Sequence, residues 1–105
     1  MCRTVGAAYS RDGRLFVKRV APVSGAKYPD YGCNFELYTD PSFLELESLA
    51  PLKTLTPGQS AEHVEDWMLF EGVKAGSDET WIDQSVLPLV QSLFVEVSET
   101  GLTAR

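Results

Sequence analysis

Apolar and polar residues alternate with period two through much of the chain up to residue 71, the spacing of strands that cover one face. Val5 to Tyr9 and Leu15 to Val20 are runs rich in β-branched and aromatic residues, and Arg11-Asp12-Gly13 between them has the turn chemistry of a tight hairpin. Asn34 to Thr39 and Phe43 to Glu47 alternate around Asp40-Pro41-Ser42, which predicts a second hairpin. In its second arm Glu45 and Glu47 share one face, while Phe43, Leu44 and Leu46 supply the apolar cover. Leu49 to Leu55 reads as a strand interrupted by Pro51, hence an edge or bulge, and Thr56-Pro57-Gly58-Gln59 as a turn. Ala61 to Glu71 reads as one long strand, with Val64, Met68 and Phe70 facing one way and His63, Glu65, Trp67 and Leu69 the other. Pro22 to Gly32, with two prolines and two glycines, is expected to be an exposed loop.

The last third changes period. Ile82, Val86, Leu89, Val90 and Leu93 recur at helical spacing, Ser77 is placed to cap the helix, and Asp78 and Glu79 suit its positive end. Pro88 is expected to kink or end that helix, Phe94 to Val97 to form a last short strand, and 98–105 a frayed tail. The expectation is a single domain over 1–105, β-rich from 5 to 72, with a helix over about 78–93. Its fold class is mainly β: an antiparallel β-sandwich with one C-terminal α-helix.

Composition supports a folded chain: 44% hydrophobic residues among 105, with eight Gly and six Pro, is an ordinary globular content. Nine Lys and Arg against fifteen Asp and Glu leave a net charge of −6, which argues against nucleic acid, whose binders carry a concentrated positive face. The charge is split along the chain. Residues 1–27 hold six cations and one Asp, a net of +5, whereas 28–105 hold three cations and fourteen carboxylates, a net of −11. A basic hairpin near acidic strands, or against the acidic face of a second copy, is the expected use, with a basic ligand site as the lesser reading. Cys2 and Cys33 have no metal-ligand spacing and read as free thiols. The start Met-Cys-Arg-Thr lacks the apolar stretch of a signal peptide and no run is long enough to span a bilayer, so a cytoplasmic protein without membrane contact is expected.

Phosphate-cradling glycine loops, a nucleophile elbow and metal-ligand clusters are absent from the sequence, so no metal or cofactor is expected. His63 stands alone, which disfavours a histidine metal site and fits a hydrogen-bonding role on its strand. The carboxylates remain. Glu36, between Phe35 and Leu37, faces away from both, into a cleft or onto a solvated face. Glu45 and Glu47 are close enough for their charges to couple.

The run Tyr28-Pro-Asp-Tyr-Gly-Cys-Asn-Phe-Glu-Leu-Tyr-Thr39, then Phe43 to Leu52, Leu55-Thr-Pro-Gly58 and His63-Val-Glu-Asp-Trp67, resembles the C-terminal part of the galactose mutarotase-like superfamily, the aldose 1-epimerases, and within it an uncharacterised bacterial branch. The resemblance covers about residues 5–95. It implies part of a β supersandwich and a sugar ligand, in a family where a glutamate takes the anomeric proton and a histidine protonates the ring oxygen. Glu36 matches the base. Tyr38, Glu45, Glu47, His63 and Trp67 are the accompanying candidates for substrate binding. The family's acid histidine lies in an earlier part of its chain with no counterpart here, and Tyr38 stands where the family often has Gln. The expected function is therefore a mutarotase-like, sugar-binding domain that is catalytically incomplete alone, the alternative being a homo-oligomeric assembly protein on a shortened β scaffold. Because the family's complete fold is roughly two to three times longer, self-association into a dimer is expected to cover the apolar faces and open edges.

Overall fold

The computed structural model describes residues 3–100, with side chains through Leu93 in the last helix. Among these residues five strands, β1 Gly6–Arg11, β2 Arg14–Arg19, β3 Phe35–Thr39, β4 Leu44–Ser48 and β5 Asp66–Phe70, form two antiparallel sheets in the orders β1-β2-β5 and β3-β4. A helical segment follows as α1 Glu79–Trp81, a π turn Ile82–Val86 and α2 Leu87–Thr100. The expected antiparallel sheets and C-terminal helix are thus present. The chain packs as two compact units, one of Val20–Glu65 with the segment ending at Thr4, the other of Val5–Arg19 with the chain from Asp66 onward.

The second of these units holds the apolar core. Asp12 and Gly13 both take positive φ, 51° and 75°, which gives the hairpin turn a twist matching its strands and sets Val17 opposite Ala8. β5 adds to the other edge of β2, pairing Val17 with Met68 and Leu15 with Phe70. Leu15 and Val17 then meet Val73, Val86 and Val90, with Met68, Phe70, Trp81 and Leu93 packed around them. Arg19 closes one end, donating to both Asp66 Oδ2 (2.7 Å from Nη2) and the Leu93 carbonyl.

The helix departs from its expected form in phase, extent and cap. Asp78, not Ser77, is the cap, its carboxylate accepting the Trp81 N–H at 2.9 Å. Pro88 neither kinks the chain out of the helix nor ends it. In a regular helix its ring would crowd the Gln84 carbonyl, and the π turn immediately before it, closed by the Leu87 N–H on the Ile82 carbonyl, adds the residue that absorbs the clash. That extra residue shifts the phase, so Trp81 joins Val86 and Val90 on the core side while Ile82 and Leu89 stay exposed. Phe94 to Val97 continues the helix instead of forming a strand, as do 98–100; residues 101–105 and Cys2 lie outside the described residues. No helix among the described residues is long and apolar enough to cross a membrane.

The first unit is built differently. The β3-β4 hairpin turns where expected, with Asp40 Oδ1 accepting the N–H groups of Ser42 and Phe43 at 2.7 and 3.0 Å. At its other end Asn34 is buried, exchanging two bonds with Thr4 through its side-chain amide. The loop Pro22 to Gly32 contains a left-handed helical turn, because Asp30, Tyr31 and Gly32 all have positive φ of 49°, 62° and 82°. Leu49 to Leu55 is not a strand, and Ala61 to Glu65 is not part of β5: neither has a partner strand among the described residues, and strand-forming composition without one leaves irregular chain. The Thr56–Gln59 turn forms as expected, with Gly58 at φ 89° and the Gln59 N–H on the Thr56 carbonyl.

A test of the helix seating follows from Gly76. A Cβ there would overlap the Cβ, Cγ and Cδ1 of Trp81, whose Nε1–H donates to the Lys74 carbonyl. Gly76→Ala is expected to unseat Trp81, red-shifting tryptophan emission and lowering stability by about 1–3 kcal/mol in urea unfolding. An unchanged spectrum and midpoint would show that Trp81 does not pack against Gly76.

Candidate functional site

The register of the β3-β4 hairpin decides which candidates meet. Glu36 lies opposite Glu47 and Tyr38 opposite Glu45, so the four share one face, with Cβ atoms of each pair about 4.5–5.5 Å apart. The other face carries Phe35, Leu37, Leu44, Leu46 and Ser48. Tyr38 packs its ring against Phe43, 5.6 Å between centroids, and its hydroxyl reaches Asp40. Half of Tyr38 is left open to solvent.

Asp30 completes this face, and it escapes the sequence pattern because it belongs to no strand. The left-handed turn carries its carboxyl to that of Glu36, where the two form a hydrogen bond. That bond is the main cause of a Glu36 pKa raised above the ordinary carboxylate range; partial loss of solvent and the charges of Asp30 and Glu47 act in the same direction. The Tyr-Pro-Asp-Tyr-Gly run signals a turn by composition, but not which strand the turn faces.

The two remaining candidates are elsewhere. His63 is exposed, with Nε2 at 2.8 Å from Ser48 Oγ, a residue of the opposite hairpin face. Ser48 in turn donates to Glu65 Oε1 at 2.6 Å. A hydroxyl has one proton and a carboxylate can only accept, so His63 must donate its Nε2–H to Ser48. The trio is thus no nucleophile and base pair, since His63 already holds a proton on the nitrogen that would have to take one. Trp67 belongs to the other unit. It lies opposite Lys18, with the ammonium 5.5 Å from its ring centroid, and makes an edge contact with Phe16 at 5.6 Å. Among the described residues no group of three or more His, Cys, Asp and Glu is arranged to hold a metal ion.

The raised pKa of Glu36 has a testable sign. A carboxyl that keeps its proton more tightly when folded stabilises the fold fully below the ordinary carboxylate range, and the contribution is lost as pH rises through the raised value. Above it, ionised Glu36 faces Asp30 and Glu47. Glu36→Gln keeps an N–H donor for Asp30 without the charge, so its Tm should exceed the parent's at neutral pH and low salt, and the gain should vanish in acid and shrink in high salt. A lower Tm at neutral pH would contradict the carboxyl pair.

Comparison with models of known protein families, with curated proteins and with solved structures yields no match for this chain.

Proposed function

We propose that this chain is a sugar-binding module related to the mutarotase-like superfamily, and that it does not interconvert anomers alone. The observation that carries the reading is the hairpin register, which gathers Glu36, Glu45, Glu47 and Tyr38 on one solvent-facing surface. Carboxylates offer paired acceptors for vicinal hydroxyls, and a half-exposed tyrosine ring beside them offers a flat apolar surface for a sugar's C–H face. Anomer exchange needs a base at the anomeric hydroxyl and an acid at the ring oxygen of the same molecule. Glu36 suits the first role, its raised pKa bringing it closer to neutrality. His63, bonded to Ser48 behind the hairpin, cannot reach a sugar seated over Glu36.

Titrating galactose or glucose into labelled protein should shift the amide resonances of residues 36, 38, 45 and 47, with millimolar Kd. Tyr38→Ala should weaken binding roughly 3–10-fold, the worth of one aromatic contact. Polarimetry should find mutarotation no faster than in buffer. Absence of shifts at these four positions would overturn the binding, and acceleration lost in Glu36→Gln would overturn the incompleteness.

A second reading, a self-associating assembly protein, is favoured by the outer face of the β1-β2-β5 sheet. Cross-strand rows Tyr9–Phe16–Leu69 and Ala7–Lys18–Trp67 leave Trp67 63% and Leu69 62% exposed, and among the described residues both β1 and β5 are open edges. Arg11 and Arg14 end this face, while the remainder of the chain is strongly acidic, so a second copy offers both apolar and charge complementarity. Light scattering on a sizing column should then give a dimer at micromolar concentration that Trp67→Glu converts to monomer. A parent that is already monomeric removes this reading.

A further inference from the structure

The first unit also holds a groove of about 820 Å³, within the size range of small-molecule sites. Its lining includes Arg3, Lys27, Pro22, Tyr28, Tyr31 and Leu52, and no Asp or Glu among the described residues. In a chain of net charge −6, a groove with two cations and no carboxylate is a local reversal of sign.

The cations are held in different ways. Arg3 is fixed: its Nη1 donates to the Gly32 carbonyl at 2.7 Å and its Nη2 to the Ala26 carbonyl at 3.1 Å, with the guanidinium 4.5 Å from the Tyr28 ring centroid. Tyr28 is itself buried and anchored, its hydroxyl accepting the Val23 N–H at 2.9 Å. One wall is therefore a preformed positive charge on an aromatic floor, which needs little ordering when a ligand arrives. Lys27 is exposed on the same groove and can swing its ammonium toward an anion. Alongside rigid Tyr28, Leu52 and Pro22 supply apolar surface.

Tyr31 is the second observation. A tyrosine at φ 62° costs about 1–2 kcal/mol relative to glycine, and here the ring is wholly exposed, so burial returns nothing. Burial does not offset that strain, and Tyr31 lines the groove, so its exposed ring is open to contact there.

We propose that this groove binds a small organic anion, a carboxylate or phosphate monoester carried on an apolar or aromatic body. The anion lies toward Arg3 and Lys27 and the body between Tyr31 and Leu52. The site is independent of the sugar reading, since the groove and the acidic hairpin face share no lining residue.

The test uses benzoate, phenyl phosphate and the neutral benzyl alcohol as probes, followed by amide resonances of the full chain. Benzoate or phenyl phosphate should shift Gly25, Ala26, Lys27 and Gly32, and whichever binds tighter identifies the anion class. Benzyl alcohol should bind at least roughly tenfold more weakly. Lys27→Glu, an exposed change whose fold is checked by circular dichroism, should weaken the anion at least roughly tenfold while leaving galactose-induced shifts on the hairpin intact; Tyr31→Ala should weaken it roughly 3–10-fold. Equal binding of benzyl alcohol, no shift with either anion, shifts confined to other residues, or an unaltered affinity in Lys27→Glu would each overturn the proposal.

Discussion

The side-chain amide of Asn34 holds the candidate site in place. It is 1% exposed and lies one residue before β3, where Oδ1 accepts the Thr4 N–H at 2.8 Å and Nδ2 donates to the Thr4 carbonyl at 2.7 Å. The side chain thus imitates one rung of an antiparallel ladder, and its own carbonyl takes the Leu49 N–H at 2.9 Å, just past β4. Each bond adds only about 1 kcal/mol net, yet leaving any of these groups unpaired costs about 1–3 kcal/mol, so the clamp is strongly favoured once formed. A lone two-stranded hairpin is marginal in water, and this one is pinned at both ends, by Asn34 at the base and Asp40 at the turn. Pinned ends leave one register. A slip of one residue would turn Glu36 and Tyr38 to the face that holds Leu46 and Ser48.

This polar construction explains why the hairpin tolerates its charges. In the other unit, Leu15, Val17, Val73, Val86 and Val90 bury apolar surface against one another and polar bonds are secondary. Around the hairpin the buried residues are few, Val20, Tyr28 and Asn34, and backbone carbonyls are tied by Arg3 and by Leu52 N–H to Lys27. Glu36 directly opposite Glu47 is a destabilising pair once both are ionised, and Asp30 beside them adds to the cost of that charge. A chain selected for stability alone would not set two glutamates face to face on a hairpin with so little apolar support.

What was legible in the sequence was local. Asp12-Gly13 and Asp40-Pro41 carry their turn geometry in two residues, and period-two alternation put Glu36, Tyr38, Glu45 and Glu47 on one face once the hairpin was recognised. Features that depend on a distant partner were not. Leu49–Leu55 reads as a Pro-interrupted strand but meets no strand among the described residues. Trp67 alternates in step with His63, yet it pairs with Lys18 while His63 stays in the coil beside the hairpin. The helix phase failed for a different reason, because a π turn inserts one residue that simple 3.6-residue counting cannot see. Asp30 was invisible as a partner of Glu36, since its position follows from three consecutive positive φ angles, two of them at residues that rarely adopt them.

That left-handed turn connects the two chemistries of the unit. Asp30 and Tyr31 are neighbours in sequence, yet the first gives its carboxyl to the acidic hairpin face and the second its ring to the cationic groove. In extended backbone, successive side chains would also diverge, but the chain would not reverse tightly enough for Cys33 N–H to bond the Asp30 carbonyl while Arg3 holds that of Gly32. The strain of two residues in the left-handed region, of order 1–3 kcal/mol each, is offset by these bonds and not by burial. The same backbone atoms therefore brace the acidic face on one side and the cationic groove on the other.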